Sequence, residues 1–205
     1  MAENIMREKN ANIIRDFMKQ IRNYDTENFI RSMLYCFCQP TIKGLKAASL
    51  INFRRNKGEN IRSSWKSNAD VWLSPFGLKW ILLGEHSGED HALVLVYRRE
   101  MLAKALGCDG ACGILAEHGY PLHDVDACLE CLKCRFCSGF PHEIGLFLDY
   151  PPEDVRGFIE GRCAKSSCPG YWKVYGDVRK AQRTFRKYRR AECEAAREVL
   201  AGGMQ

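Results

Sequence analysis

The feature that most constrains the fold is an internal repeat in the second half of the chain. The segment YPLHDVDACLE, residues 120–130, recurs as YPPEDVRGFIE, residues 150–160, with Tyr, Pro, Asp, Val and Glu in the same register. A proline suits a helix start, and the helix dipole favours an acidic side chain in the first turn. Each copy therefore predicts a helical hairpin: a short helix, a tight Tyr-Pro turn and a second helix. The repeated motif residues are Tyr120, Pro121, Asp124, Tyr150, Pro151 and Asp154.

The first half of the chain mixes helical and extended patterns. Apolar residues at helical spacing predict helices, and short aliphatic runs bounded by polar or glycine-containing segments predict strands. The last two predicted strands form a hairpin. The helices are expected at residues 4–22, 26–37, 60–71 and 98–106, and the strands at residues 49–53, 80–84 and 92–97.

Near the C-terminus, GYWKVYG, residues 170–176, predicts a strand that joins the sheet of the first half, and Asp177 is expected to cap a helix that ends near Leu200. The predicted fold class is α+β, with a small antiparallel sheet packed with helices followed by a mainly helical second half with two helical hairpins. A soft boundary near Gly107 divides residues 1–107 from residues 108–205. The second part holds the hairpins, a short strand and a basic C-terminal helix, and both parts are expected to form one integrated domain.

Eleven cysteines in 205 residues are the main anomaly of composition. The N-terminal residues alternate charged and apolar side chains, which is unlike a signal peptide. No uncharged apolar run approaches the roughly 20 residues that a spanning helix needs, so no membrane association is expected. A cytoplasmic location is therefore predicted, where dense cysteines indicate metal binding, redox chemistry or free thiols rather than disulfides.

Four of these cysteines, Cys128, Cys131, Cys134 and Cys137, recur at every third residue of a predicted helix. Because a helix turns by about 100° per residue, each cysteine steps back by about 60° from the one before it. Four such thiolates cannot close around one tetrahedral ion, whose sulfur ligands all lie about 2.3 Å away. Cys131 and Cys134 can supply two ligands of an iron or zinc site, or the thiols are simply tolerated on a helix surface.

Further candidate ligands flank the second copy of the repeat. His142 and Glu143 open a helix, where the pair can bind a metal, act as acid and base, or cap the helix with a buried imidazole. Cys163 and Cys168 have a workable ligand spacing on a loop. A thiol-dependent enzyme, with a cysteine nucleophile and His142 as its base, is an alternative. The candidate metal ligands are His142, Cys163, Cys168, Cys131 and Cys134.

The C-terminal helix carries basic residues with no acidic residue among them over residues 179–190. A solvated face is one interpretation, and docking of an acidic protein partner is another. A nucleic-acid reader of helix-turn-helix type is less favoured, because the second helix of the hairpin is acidic at the end that would meet phosphates. The candidate partner-binding residues are Arg179, Lys180, Arg183, Arg186, Lys187 and Arg190.

FPHEIGLFLDYPPEDVRGFI, residues 140–159, and GYWKVYGD, residues 170–177, resemble the domain-of-unknown-function family numbered 3793, found in anaerobic Gram-positive bacteria. Pro40-Thr41, Gly44, Lys46 and the string LVLVYRRE fit the same resemblance, which covers nearly the whole chain. It implies no established activity. The family pattern centres on His142, Glu143, Gly145, Tyr150, Pro151, Asp154 and Val155, with thiols near Cys163.

The chain departs from that family pattern in two ways. Asp149 stands where the family usually has glycine, and the cysteines of residues 128–137 are not part of the pattern. Both departures make the cysteines of residues 128–137 less favoured as a site shared by the family, and they make His142 and Cys163 more favoured. The sequence hypothesis is a cytosolic Cys/His-rich protein that binds metal or is linked to redox chemistry and docks an acidic partner. The alternatives are the thiol-dependent enzyme and an adaptor for nucleic acid or protein.

Overall fold

The computed structural model describes residues 2–54, 60–84, 90–161 and 168–202, with side chains for residues 9–54, 60–84, 90–161 and 170–202. The helices are α1 (Ala2–Ile21), α2 (Thr26–Phe37), α3 (Gln39–Ile42), α4 (Ile61–Leu73), α5 (Arg99–Leu106), α6 (Asp109–Glu117), α7 (Val125–Phe136), α8 (Ile144–Phe147), α9 (Pro152–Ile159) and α10 (Val178–Leu200). The strands are β1 (Ala48–Arg54), β2 (Lys79–Leu83), β3 (His91–Tyr97), β4 (Cys168–Pro169) and β5 (Lys173–Val174).

Three strands form an antiparallel sheet in the order β1-β3-β2. Leu95 of the central strand lies opposite Leu50 on one side and Ile81 on the other. The predicted α+β class, with its β2–β3 hairpin, is confirmed. The observed order leaves β1 as an edge strand of this sheet within the described residues.

Alternate residues of the strands face two separate hydrophobic clusters, as the period of two in a strand requires. Val94 and Val96 face a cluster built with α1, α2, α4 and the end of α10. Leu95 and Tyr97 face a second cluster built with α5 to α9. The sheet is therefore covered on both faces, with much of the second half on one side and α10 returning to the other.

The C-terminal helix α10 is the longest element of the described chain, and it packs against α1, α2 and α3. Asp177 caps it by accepting a hydrogen bond from the backbone N–H of Lys180 at 3.0 Å, as predicted. Its buried stripe includes Ala181, Tyr188 and Ala195. No helix among the described residues has an apolar stretch long enough to cross a bilayer.

Two details of the sequence prediction are wrong. Residues 170–176 do not join the main sheet, because only Lys173–Val174 is extended and it pairs with Cys168–Pro169 as a separate two-stranded sheet. In the first repeat, the second helix begins at Val125 rather than at Pro121. There the left-handed backbone of His123, at φ 69°, ends the turn, and the Asp124 side chain then caps α7.

Candidate functional site

A cavity of about 730 Å³ lies where the two halves of the chain meet. Its walls come from α2, β1, the segment before α8, helices α8 and α9, the aromatic segment at residues 171–173, and α10. The wall is mainly apolar, with side chains such as Met33, Leu50 and Phe158. This size and composition are typical of small-molecule sites, which measure about 300–1,000 Å³.

The edge strand β1 forms one side of the cavity, since Ser49, Leu50, Ile51 and Asn52 all line it. Among the described residues, β1 pairs with β3 alone. The backbone groups on its other edge therefore lack a strand partner, and such groups need water or a ligand for their hydrogen bonds.

An aromatic wall faces the strand. The ring of Tyr150 stacks on that of Trp172, with centroids 4.7 Å apart and an interplanar angle of 29°. Phe185 meets Trp172 edge-on at 4.5 Å. Tyr171 meets the ring of Tyr188 edge-on at 5.3 Å. These contacts hold the rings of Tyr150, Tyr171 and Trp172, which line the cavity, in fixed orientations.

Asp154 holds this aromatic segment in place. Its Oδ2 accepts a hydrogen bond from Trp172 Nε1 at 2.7 Å. Its Oδ1 accepts two more, from the backbone N–H groups of Tyr175 at 2.6 Å and Gly176 at 2.7 Å. The carboxylate is buried, so these charge-assisted bonds replace its lost hydration. Asp154 therefore ties the first turn of α9 to the segment that carries Trp172.

Helices α8 and α9 approach each other closely at Gly145. A Cβ atom at that position would lie 2.8 Å from Cγ2 of Val155 and 3.1 Å from the Tyr150 ring. Asp149, in the turn between the helices, adopts the left-handed φ of 62° that glycine favours. Its Oδ2 accepts a hydrogen bond from Ala47 N at 3.1 Å, which joins this turn to the residue that follows Lys46.

Lys46 enters the cavity from the segment before β1 and is only 6% exposed. Its ammonium lies 5.5 Å from the ring centroid of Tyr188, where a cation–π contact is favourable. It forms no hydrogen bond or ion pair with any residue that the structure describes. Burial lowers the pKa of Lys46 below its ordinary value, and the charges of Glu192 and Asp149 oppose this shift.

Glu192 lies on α10 and lines the same cavity. One carboxylate oxygen, Oε2, accepts a hydrogen bond from the Tyr171 hydroxyl at 2.5 Å. Burial raises the pKa of Glu192 above its ordinary value, and the Tyr171 hydrogen bond and the charge of Lys46 oppose this shift. Burial therefore favours the uncharged forms of both groups, an amine at Lys46 and a carboxylic acid at Glu192.

The structure separates His142 from its neighbour Glu143. The His142 imidazole is exposed at the cavity rim, where it packs edge-on against Phe158 with ring centroids 5.0 Å apart. Glu143 is 2% exposed, accepts a hydrogen bond from the Tyr120 hydroxyl at 3.0 Å, and pairs with Arg135. Burial alone would raise the pKa of Glu143, but hydrogen bonds that include those from Tyr120 and Arg135 hold it below its ordinary value. Glu143 thus joins the two repeat copies and does not share a site with His142.

The candidate metal ligands are not brought together in the described part of the chain. Among those residues, no three His, Cys, Asp or Glu side chains are grouped so that they could hold a metal ion. Cys131 is half-buried on α7, and Cys134 is exposed on the same helix. Cys163 and the side chain of Cys168 lie outside the described residues. An iron or zinc site that uses those two thiols stays a prediction.

Several described thiols differ from what a nucleophile requires. A reactive cysteine has a lowered pKa, whereas burial raises the pKa of Cys38 to about 12 and that of Cys128 to about 11. Burial raises the pKa of Cys36, Cys131 and Cys193 as well. Burial therefore disfavours the thiolate form at each of these five cysteines, and the thiol-dependent enzyme stays a prediction.

The six predicted partner-binding residues are all exposed on α10. Arg190 donates a hydrogen bond to Glu194 at 2.7 Å, and Glu194 also accepts one from Lys43 at 2.9 Å. These two contacts lower the pKa of Glu194 to about 2. The basic surface therefore lies on the outside of the helix, whereas Glu192 faces the cavity from its inner side.

The model of a family described as protein of unknown function (DUF3793) matches residues 34–205. The chain belongs to this family. The match includes every residue that lines the cavity except Met33 of α2. No curated protein and no solved structure matches the chain.

The sequence interpretation missed the polar centre of the cavity, formed by Lys46, Glu192 and Tyr171. Of these three residues, only Lys46 belongs to the sequence motifs that resemble DUF3793. Glu192 carries a usable signal, because it falls at helical spacing within the stripe of Tyr188, Ala191 and Ala195 that α10 buries. A carboxylate in a buried stripe needs a partner or a function. Tyr171 carries no comparable signal.

Proposed function

We propose that the protein binds a small organic molecule in this cavity, with an apolar or aromatic body and one polar, oxygen-bearing head group. The observation that carries the proposal is a cavity of about 730 Å³ with mainly apolar walls, in which Lys46, Glu192 and the Tyr171 hydroxyl converge. Small-molecule sites commonly combine an apolar pocket with a few convergent polar groups and shifted pKa values.

The two ends of the proposed ligand follow from the two parts of the wall. An apolar body would bury its surface against Leu50, Phe158 and the Tyr150–Trp172 stack, at about 25 cal/mol for each Å² removed from water. A buried amine without a hydrogen-bond acceptor is costly, so a head group that accepts a bond from Lys46 is favoured. Carbonyl and carboxylate oxygens both meet this need.

Two fluorescent probes test the proposal directly. N-phenyl-1-naphthylamine is an uncharged aromatic molecule, and 8-anilinonaphthalene-1-sulfonate adds an anionic group to the same framework. We expect each to bind the full chain at one saturable site with enhanced fluorescence. Lys46→Met should weaken the sulfonate probe several-fold and leave the uncharged probe within about twofold, because only the sulfonate has oxygens that accept a hydrogen bond from the Lys46 nitrogen.

A matched pair of tryptophan variants places the bound probe. Leu50→Trp adds bulk inside the cavity, whereas Val71→Trp adds the same side chain at a site that is 70% exposed on α4. We expect Leu50→Trp to weaken both probes at least fivefold and Val71→Trp to leave them unchanged. Circular dichroism checks that both variants remain folded. The proposal fails if neither probe saturates, or if both variants bind alike.

The exposed basic residues of α10 favour a second proposal, in which this face docks an acidic protein. The triple variant Lys180→Glu, Arg183→Glu and Lys187→Glu should abolish binding of poly-L-glutamate at low salt. Binding by the original chain should fall steeply as salt is raised. Lys66→Glu, on the exposed surface of α4, is the control, because it makes the same kind of charge reversal away from α10. Equal binding by all variants contradicts this proposal, and tighter binding to RNA than to poly-L-glutamate supports a nucleic-acid partner instead.

A further inference from the structure

Lys46 differs from a lysine that only balances charge. Its side chain is 6% exposed, it lines the cavity, and its nitrogen forms no ion pair with any described residue. Its nitrogen lies over the Tyr188 ring, 5.5 Å from the ring centroid. A lysine that is desolvated in an apolar pocket is a known form of activated nucleophile, because the neutral amine has a free electron pair.

An acid lies on the same wall. Glu192 lines the cavity with Lys46, and its carboxyl group is held by the Tyr171 hydroxyl at 2.5 Å. The charge of Glu192 opposes the lowering of the Lys46 pKa, as expected for two groups that line the same cavity. The remaining charged or titratable groups that act on Lys46 are Cys38, between α2 and α3, and Asp149, in the turn between α8 and α9.

We propose that Lys46 forms a Schiff base with an apolar ketone or aldehyde bound in the cavity, with Glu192 as the acid. This inference rests on the proposed function, because the carbonyl would be the polar head group of the bound molecule. It deepens that function from binding to reversible covalent capture.

The step balances without an oxidant or reductant. The neutral Nζ of Lys46 attacks the carbonyl carbon, and the C=O π electrons move to oxygen to give a carbinolamine after proton transfer. The C–O bond then breaks, the Glu192 carboxyl proton leaves with the oxygen as water, and a C=N bond forms. The products are a protonated imine on Lys46, one water and the Glu192 carboxylate, which lies beside the new positive charge.

The aromatic surroundings suit this product. Tyr188 offers its ring face to the cationic nitrogen, and Tyr171 holds the carboxyl group in place by its hydrogen bond. Tyr171 is therefore a positioning residue, whereas Lys46 and Glu192 would touch the reacting atoms. The Tyr150–Trp172 stack would hold the body of the ketone.

Benzoylacetone, an aryl 1,3-diketone, tests the proposal. Its reaction with an amine loses one water and gives a conjugated enaminone with a new ultraviolet band. At neutral pH we expect the full chain to form one adduct, with a mass increase equal to the diketone minus water. Peptide mapping should place the adduct on Lys46.

Two variants and one control define the expected pattern. Lys46→Arg should abolish the adduct, and Glu192→Gln should slow its formation at least tenfold. Lys104→Arg, which removes an exposed lysine from α5, should have no effect. Non-covalent binding is measured in the same samples by displacement of N-phenyl-1-naphthylamine, and only Lys104→Arg is expected to match the original chain in both binding and adduct formation.

The outcomes separate the two proposals. Displacement of the probe without an adduct on Lys46 overturns the Schiff base and leaves the binding function intact. Absence of both displacement and adduct overturns both. Adducts spread over several lysines at equal rates also overturn the Schiff base, because they show ordinary amine reactivity. If Lys46→Arg fails to fold, Glu192→Gln still tests the proposal. An unchanged rate of adduct formation in that variant would show that the Glu192 carboxyl is not the acid of the step, which overturns the proposed pair.

Discussion

Asp124 and Asp154 occupy the same position in the two copies of the repeat, but they form different contacts in the structure. Asp124 is exposed and caps α7, with its Oδ1 accepting hydrogen bonds from the N–H groups of Asp126 at 3.0 Å and Ala127 at 3.1 Å. Asp154 is buried and holds the aromatic segment. The same change, Asp→Asn, should therefore have very different costs at the two sites.

The expected cost at Asp154 follows from its three hydrogen bonds. In Asp154→Asn the amide oxygen can keep the two backbone N–H donors, but the NH₂ group then faces Trp172 Nε1, so a donor meets a donor. The unpaired indole N–H costs about 1–3 kcal/mol, and each bond that changes from charged to neutral loses about 1 kcal/mol. Because Trp172 is only half-buried, we expect the low end of the sum, about 3 kcal/mol.

Asp124→Asn is the matched control. Asparagine is as good an N-cap as aspartate, and the lost interaction with the helix dipole is worth about 0.5 kcal/mol at an exposed position. We therefore expect the free energy of unfolding to change by less than about 0.5 kcal/mol. Each variant replaces one carboxylate oxygen by an NH₂ group. A difference between their free energies of unfolding therefore reports the different tertiary surroundings of the two residues.

Urea unfolding, followed by far-ultraviolet circular dichroism and by tryptophan fluorescence, measures both costs. With a slope of about 2 kcal/mol per molar urea, Asp154→Asn should lower the midpoint by about 1.5 M. It should also weaken N-phenyl-1-naphthylamine, since Trp172 forms part of the cavity wall. Equal midpoints for Asp154→Asn and Asp124→Asn would refute the different roles of the two residues.

Three further predictions concern packing, charge and thiol exposure. Gly145→Ala should lower the free energy of unfolding by about 1–3 kcal/mol, because its Cβ would lie 2.8 Å from a valine methyl group. The control Gly113→Ala on α6 should instead raise the free energy of unfolding by about 0.5–1 kcal/mol. Urea unfolding measures both changes, and a stabilising Gly145→Ala would contradict the close packing. Burial raises the pKa of Glu192 in the folded chain, so the stability that Glu192 contributes is full below the ordinary pKa of 4.5 and falls as pH rises through the raised pKa. Glu192→Gln should therefore become more stable relative to the original chain as pH rises from 4 to 7. A constant difference in the free energy of unfolding across that range would argue against the raised pKa. Iodoacetamide should label exposed Cys134 far faster than buried Cys38 in the native chain, as mass spectrometry of peptides can show, and equal rates would contradict the described burial.

The sequence by itself determined most of the secondary structure. The apolar period of α1, α2 and α10 and the aliphatic runs of β2 and β3 predict those elements within a few residues of their observed bounds. The reason is that local hydrophobic periodicity reports directly which face of an element is buried. The helical form of the cysteine-rich segment is confirmed on the same ground, with Leu129 and Leu132 buried and Cys134 exposed.

The repeat was visible in the sequence, but its divergence was not. Tyr120 and Tyr150 match in register, yet one donates its hydroxyl to Glu143 and the other to the backbone oxygen of Tyr171. A local motif fixes the turn, whereas its partners come from elements distant in the chain. This is why Glu143, next to His142 in sequence, is a buried structural carboxylate while His142 lies at the rim of the cavity.

The tertiary structure alone decided where the candidate site lies. Lys46, Tyr171 and Glu192 are far apart in the sequence, and no spacing rule joins them. They meet because α10 returns across the chain to pack against α2 and α3, which places its one buried-stripe carboxylate beside the segment that leads into the edge strand. Burial is a property of the assembled elements, and burial lowers the pKa of Lys46 and raises the pKa of Glu192.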